Sequence, residues 1–177
     1  MDQVRLEHVL APDWIPDPTA LPMEELRARR TELQEVEVTL SYQRRMAQGR
    51  LDIVAAEKQR RENRDPPMDP DAVVAHLTGI LAPNTRGQGT GRLSQLLAPE
   101  PAEAETPELD AIAGPDILAS LPTMSDADLD RLIEELASSE ASYSKWRRAL
   151  HDRIDLLQGE VVRRYRTGEA SVETLLR

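Results

Sequence analysis

The sequence predicts an all-α protein whose two long helices pair as an antiparallel coiled coil, joined by a long, Pro-rich and partly flexible linker with short helices. Aromatic residues make up only 3% of the chain, and Phe is absent. Leu, Ala, Glu and Arg dominate instead, which is typical of coiled coils and not of thick globular cores. Two long stretches almost free of Pro and Gly carry apolar residues at alternating spacings of three and four. One offset of 103 residues aligns the two apolar patterns, which indicates a duplicated helix.

The chain begins with a Pro-rich segment, residues 1–22. Its prolines disfavour helix at their own and at the preceding positions, so Asp2–Leu10 is predicted to form at most a short helix. Trp14 and Ile15 lie between the prolines and are expected to pack against a helix of the same chain. The prolines are Pro12, Pro16, Pro18 and Pro22.

The first long helix is predicted over residues 23–63, which contain no Pro and a single glycine, Gly49. A helix of this length extends about 60 Å, which is too long for a lone globular helix. The residues from Arg64 to Pro67 (Arg-Asp-Pro-Pro) mark its end. Its apolar seam is Leu26, Leu33, Val36, Leu40, Ala47, Leu51 and Val54.

Residues 64–124 are predicted to be an acidic, Pro-rich linker that is long enough to return the chain for antiparallel pairing. Two stretches within it are candidates for short helices, Asp71–Leu81 and Arg92–Leu97. The Gly-x-Gly-x-Gly sequence at 87–91 is not a phosphate-binding loop, because neither a preceding strand nor a following Lys accompanies it.

The second long helix is predicted over residues 125–177. Ser125 is a good N-cap, and Asp128 lies three residues later, where a capping box places its acceptor. At the offset of 103, Leu26 falls on Leu129 and Leu33 on Leu136. The seam is Leu129, Leu132, Leu136, Tyr143, Trp146, Leu150, Ile154, Leu157 and Val161.

Composition and charge restrict the functional classes. The absence of Cys excludes a disulfide framework and a thiolate metal site. No run approaches the roughly 20 apolar residues of a membrane span, and the N-terminus does not resemble a signal peptide, so we expect a cytoplasmic protein. The net charge of −10 argues against non-specific DNA or RNA binding, which depends on neutralising phosphates. His8 and His76 are isolated and do not indicate a metal site.

The same five-residue pattern, E-x3-S-x2-R-x3-[Q/H]-x3-D, occurs once on each long helix. At roughly 100° per residue, its five side chains fall within an arc of about 80°, so each copy forms a polar stripe. The recurrence of a mid-helix Ser at the same place favours a function, since Ser has only modest helix propensity. The copies are Glu37, Ser41, Arg44, Gln48 and Asp52, and Glu140, Ser144, Arg147, His151 and Asp155.

The chemistry of the stripe fits guanine. An Arg can donate two hydrogen bonds to O6 and N7 of guanine, and a carboxylate can accept from N1–H and from the N2 amino group. Ser and Gln can reach a phosphate or a sugar. Matching stripes on an antiparallel helix pair would suit a ligand with two-fold symmetry. Four further arginines are expected to add positive charge beside the stripes: Arg45, Arg50, Arg148 and Arg153.

The duplicated motif resembles the signature of the RsiG family, actinobacterial anti-sigma factors that bind cyclic di-GMP. The resemblance implies an antiparallel coiled coil carrying two cyclic di-GMP molecules as an intercalated dimer, contacted by all ten stripe residues. It also implies that the nucleotide-bound protein sequesters WhiG, a sporulation sigma factor of the flagellar sigma class, from core RNA polymerase. The chain departs from the family pattern at His151, where the pattern has Gln.

Two other functional classes compete with this interpretation. The chain could be a structural coiled-coil adaptor with no nucleotide ligand, whose stripes form interhelical salt bridges. An enzyme acting on cyclic dinucleotides is disfavoured, because such chemistry would call for clusters of metal-binding carboxylates. We therefore expect no enzymatic activity, no direct DNA binding and no membrane association.

Overall fold

The computed structural model describes residues 3–65 and 106–170, and every regular element within them is a helix. The predicted all-α fold with two long helices is therefore confirmed. The candidate short helices Asp71–Leu81 and Arg92–Leu97 lie outside the described residues. The α-helices are α1 (Gln3–Leu10), α2 (Met23–Asn63), α3 (Pro107–Ala113), α4 (Pro115–Ser120) and α5 (Asp126–Thr167), and 3₁₀ turns form at Pro18–Ala20 and Leu121–Thr123.

The ends of the long helices follow local sequence signals. The predicted capping box begins α5: the Ser125 hydroxyl accepts from the Asp128 backbone N–H at 3.2 Å and donates to the Asp128 carboxylate at 2.6 Å. The first residue after α2 is Arg64, which adopts a positive φ of 59°. After α5 the chain reaches Gly168, whose φ of 77° is the left-handed conformation common at helix C-termini.

The chain divides into two compact units, each of which contains part of both long helices. We call the described residues 3–42 and 143–170 the α1 unit, and the described residues 43–65 and 106–142 the α3 unit. In the α1 unit, side-chain contacts join Arg27 to Tyr165 and Arg30 to Gln158. Partner numbers fall as α2 is followed forward, so the two helix segments of this unit are antiparallel.

The α3 unit shows the same pairing between its own helix segments. Lys58 of α2 contacts Asp130 of α5, and Arg61 donates to Asp126 at 2.7 Å. Both long helices have acidic first turns and basic last turns. Antiparallel pairing therefore brings the acidic start of α5 to the basic end of α2, which complements both helix dipoles and favours this orientation over a parallel one.

The predicted seams form the core of both units. Leu26, Leu33, Leu40 and Val54 of α2 are fully buried, and burial of one such side chain stabilises the fold by about 1.5–3 kcal/mol. The other buried seam residues are Val36, Ala47, Leu129, Leu132, Leu136, Tyr143, Leu150, Leu157 and Val161. Leu51, Trp146 and Ile154 are only half-buried.

The duplication extends beyond the long helices. At the offset of 103, α1 falls on α3, and the 3₁₀ turn Pro18–Ala20 falls on Leu121–Thr123. The buried Leu6 of α1 corresponds to the buried Leu109 of α3. Residues 106–124, at the end of the predicted linker, thus form the counterpart of 3–21. The sequence signal is the similarity of Ala11-Pro12-Asp13 to Gly114-Pro115-Asp116.

The entry segment packs on its own chain, as predicted. Trp14 is 9% exposed and Ile15 is 8% exposed. The Arg29 guanidinium lies 5.3 Å from the centroid of the Trp14 ring, within the range of a cation–π interaction. His8 meets the same ring edge-on, with centroids 6.4 Å apart.

Two arginines that were expected beside the stripes instead hold the short helices, so that expectation is wrong for Arg50 and Arg153. Arg153 donates to three backbone carbonyl groups at the end of α1, at 2.7 to 3.0 Å. Its counterpart Arg50 is 9% exposed and donates to Asp110 and Thr106 of the α3 segment. The reason is helical geometry, because Arg50 lies about 160° around α2 from the centre of the stripe, on the far flank of the seam.

A second equivalent pair of arginines caps the 3₁₀ turns. Arg61 donates to the backbone oxygens of Leu121 and Met124, both at 2.7 Å. Arg164 donates to the backbone oxygens of the Pro18–Ala20 turn at 2.9 and 3.2 Å. The C-terminal end of α2 therefore holds the turn that precedes α5, and the C-terminal end of α5 holds the turn that precedes α2.

Acid should destabilise the fold through two equivalent carboxylates, Glu57 and Glu160. Hydrogen bonds from Arg60 and then Arg61 lower the pKa of Glu57 to about 2, and those from Arg163 and then Arg164 lower the pKa of Glu160 to about 2. The ordinary Glu pKa is 4.5. Each ionised group therefore stabilises the folded state above about pH 4.5, and this contribution disappears as the pH falls toward 2.

We expect the thermal midpoint to decrease as the pH is lowered through this window. In the variant Glu57→Gln/Glu160→Gln, the decrease between pH 5 and 3 should be less steep. The exposed carboxylates Glu62 and Glu135 provide the control Glu62→Gln/Glu135→Gln, which should keep the wild-type slope. Thermal unfolding followed by circular dichroism checks this. Equal slopes in the wild type and the Glu57→Gln/Glu160→Gln variant would contradict it.

Candidate functional site

The two stripes distribute their residues over the two units, so we describe two half-sites. The α1 unit contains the Glu37 half-site, and the α3 unit contains the Glu140 half-site. The Glu37 half-site comprises Glu37, Ser41, Ser144, Arg147, His151 and Asp155. The Glu140 half-site comprises Arg44, Gln48, Asp52 and Glu140.

Three side chains converge on one carboxylate oxygen in the Glu37 half-site. The Ser41 hydroxyl donates to Glu37 Oε1 at 2.6 Å, one helical turn away on α2. Arg147 Nε donates to the same oxygen from α5 at 3.1 Å. His151 Nε2 lies 3.3 Å from it without making a hydrogen bond, although this nitrogen is buried. Glu37 is thus the acceptor on which this half-site is built.

The Glu140 half-site is centred on the guanidinium of Arg44. Arg44 Nη1 donates to Glu140 Oε1 across the helix pair at 3.1 Å and to Gln48 Oε1 along α2 at 3.4 Å. Its Nε is buried and has no hydrogen-bond partner in the described part of the chain. The side chains of Arg44 and Glu140 are each 26% exposed, so both remain accessible to a ligand.

The two ion pairs are reciprocal. In each half-site the carboxylate comes from one copy of the motif and the guanidinium from the other copy. The offset of 103 exchanges them, because Glu37 falls on Glu140 and Arg44 falls on Arg147. Each half-site therefore pairs one Arg with one Glu on the opposite helix.

The remaining stripe residues differ in their exposure. Ser144 and Asp52 are half-buried, and Asp155 is exposed. The structure therefore brings Glu, Arg and the Gln or His position together in both half-sites.

The arrangement can bind a ligand that has both acceptors and donors along its edge. A guanidinium offers paired donors to an acceptor edge, and a carboxylate accepts from N–H groups. Partly exposed ion pairs contribute only about 0–1 kcal/mol to stability, so these pairs can open at little cost. Among the described residues, no three His, Asp or Glu side chains form a metal-binding group, and none of the helices combines the length and apolarity that crossing a membrane requires.

Sequence reasoning missed the pairing between the two copies. It assigned the five residues of each copy to one stripe, whereas two ion pairs join the copies, Glu37 to Arg147 and Arg44 to Glu140. The repeat implies only the reciprocity, because an antiparallel alignment that places the Glu of one copy beside the Arg of the other does so for both pairs.

The family of the chain follows from its sequence together with this geometry. The family model described as RsiG-like matches residues 13–81 and 115–177, which include both copies of the motif and the whole of both long helices. No curated protein is similar enough to count as a match. The two matched ranges span well over half of the sequence. The chain therefore belongs to the RsiG-like family, a family of regulatory anti-sigma factors.

Proposed function

We propose that this anti-sigma factor binds cyclic di-GMP on its two half-sites and, when loaded, sequesters a WhiG-like sporulation sigma factor from core RNA polymerase. The observation that carries the proposal is the reciprocal pairing of Glu37 with Arg147 and of Glu140 with Arg44. Two equivalent pairs provide two equivalent sites for guanine, one in each unit, which suits the binding of two nucleotide molecules.

Each half-site contains the groups that guanine recognition requires. The guanidinium of Arg44 or Arg147 can donate to O6 and N7 of the base, a contact that discriminates by about 1–3 kcal/mol. The carboxylate of Glu140 or Glu37 can accept from N1–H and from the N2 amino group. The Ser41 hydroxyl donates to the Glu37 carboxylate and can instead turn toward a phosphate.

Binding in this manner requires the ion pairs to open. The donor and acceptor atoms of each pair are 3.1 Å apart, which leaves no room for a base between them. The side chains of Arg147 and Glu37 are 39% and 19% exposed, so the pair is only partly desolvated. Opening a pair of this kind costs about 0–1 kcal/mol, which is less than the free energy that one bidentate base contact contributes to binding.

A second candidate function is that of a structural adaptor without a nucleotide ligand. The same ion pairs favour it, because Glu37–Arg147 and Glu140–Arg44 both join the two long helices and are the interhelical salt bridges that such an adaptor would use. The two candidates differ in one consequence. If the pairs are only structural, adding cyclic di-GMP should leave the thermal midpoint unchanged, whereas a bound ligand raises it.

Cyclic di-GMP should bind far more tightly than cyclic di-AMP. Adenine has no N1–H donor and no N2 amino group, and its own amino group occupies the position where guanine has O6. Arg44 would therefore keep N7 but lose one of its two acceptors, and Glu140 would lose its donors. We expect the loss of one bidentate contact per base, about 1–3 kcal/mol each, and therefore weaker binding by at least about tenfold. Competition titrations with both nucleotides check this. Equal affinities would mean that the half-sites recognise phosphate and shape, and not the base.

A further inference from the structure

The two copies of the motif differ at a single equivalent position, which is Gln48 in the first copy and His151 in the second. The Gln48 amide oxygen accepts from the guanidinium of Arg44 at 3.4 Å. The His151 imidazole instead turns to the carboxylate, with Nε2 at 3.3 Å from Glu37 Oε1. The described contacts therefore place the imidazole beside a carboxylate and the amide beside a guanidinium.

We propose that His151 makes the half-sites unequal: its imidazolium competes with guanine for the Glu37 carboxylate, so the Glu37 half-site binds tightly only when the imidazole is neutral. This inference rests on the proposed nucleotide binding. Nε2 is buried with no hydrogen bond in the described structure, yet it lies near a carboxylate. A proton on the ring would convert this contact into an ion pair, and breaking that pair would add to the cost of binding.

The charges around the ring set the direction of the effect. Glu37 faces it from α2, and Arg147 and Asp155 lie one turn to either side of it on α5. Once Glu37 accepts from guanine, the imidazolium loses that partner while Arg147 remains. Binding therefore releases a proton, and affinity rises with pH across the range in which imidazoles titrate, about pH 5 to 8.

Calorimetric titration of the full chain with cyclic di-GMP at pH 8 and pH 6 tests the inference. We expect the wild type to bind about three- to tenfold more weakly at pH 6. His151→Gln restores the residue found at the equivalent position and should bind with nearly equal affinity at both pH values. Since His8 and His76 are present in every variant, their contributions cancel in the comparison.

The outcomes separate this inference from the proposed function. Binding that weakens at pH 6 in the wild type but not in His151→Gln supports the inference. An unchanged pH dependence in His151→Gln, pH-independent wild-type binding, or tighter binding at pH 6 would overturn it and leave the nucleotide-binding proposal intact. The absence of binding by every variant at both pH values would remove both. Helicity measured by circular dichroism at each pH verifies that the variants remain folded.

Discussion

The variant Arg44→Ala/Arg147→Ala should lose cyclic di-GMP binding while keeping its helicity. Each Arg lies beside the seam and is paired only with polar groups in the described contacts, so truncation removes ligand contacts without opening the core. A lost bidentate base contact costs about 1–3 kcal/mol. Because about 1.4 kcal/mol corresponds to a tenfold change in Kd, the loss of both contacts should weaken binding by about thirtyfold or more.

The chain offers a matched control one residue further along each helix. Arg45 and Arg148 are also equivalent at the offset of 103, and both are exposed. The variant Arg45→Ala/Arg148→Ala removes the same charge and should change the affinity only slightly at physiological salt, since exposed charges are screened by solvent and ions. Wild-type affinity in Arg44→Ala/Arg147→Ala, or an equal loss in both variants, would show that specific contacts do not carry binding.

The second large effect concerns the partner. We expect a one-to-one complex with a WhiG-like sigma factor that forms only, or far more tightly, in the presence of cyclic di-GMP. The physical reason is thermodynamic linkage: a ligand that contacts both proteins, or favours the helix arrangement that the partner recognises, must raise the affinity for the partner. Size-exclusion chromatography of the two purified proteins, with and without nucleotide, measures this directly.

The variant that is expected not to bind the nucleotide provides a control for this experiment. Arg44→Ala/Arg147→Ala should fail to form the complex at nucleotide concentrations that saturate the wild type, while Arg45→Ala/Arg148→Ala should form it. If the complex forms equally with and without nucleotide, the two binding events are not coupled. If no complex forms under either condition, this sigma factor is not the partner.

The sequence predicted the long helices and their seams because these depend on local and periodic signals. These signals can be read from neighbouring positions in the sequence: residues 23–63 contain no Pro, Ser125 is a helix cap, and the Leu residues recur at spacings of three and four. The short helices at 107–113 and 115–120 were missed, because their composition is acidic and Pro-rich and they are held by distant side chains. Arg50 contacts Asp110, sixty residues away, and no local pattern predicts such a contact.

The repeat predicts which residues form the candidate site, but it does not predict how they are connected. The repeat identified the ten stripe residues, since duplication compares the chain with itself. It could not show that Glu37 and Arg147 form one pair and Arg44 and Glu140 the other, because this depends on the axial alignment of two helices. For the same reason it gave no sign that His151 faces a carboxylate while Gln48 faces a guanidinium.

Isothermal titration of the full chain with cyclic di-GMP tests the central claim most directly. The account predicts micromolar or tighter binding with two nucleotides per chain, one for each reciprocal ion pair, and reduced affinity in Arg44→Ala/Arg147→Ala. The absence of binding at high micromolar nucleotide, both for the chain alone and in the presence of the sigma factor, would contradict the account and leave the ion pairs as structural links between the two long helices.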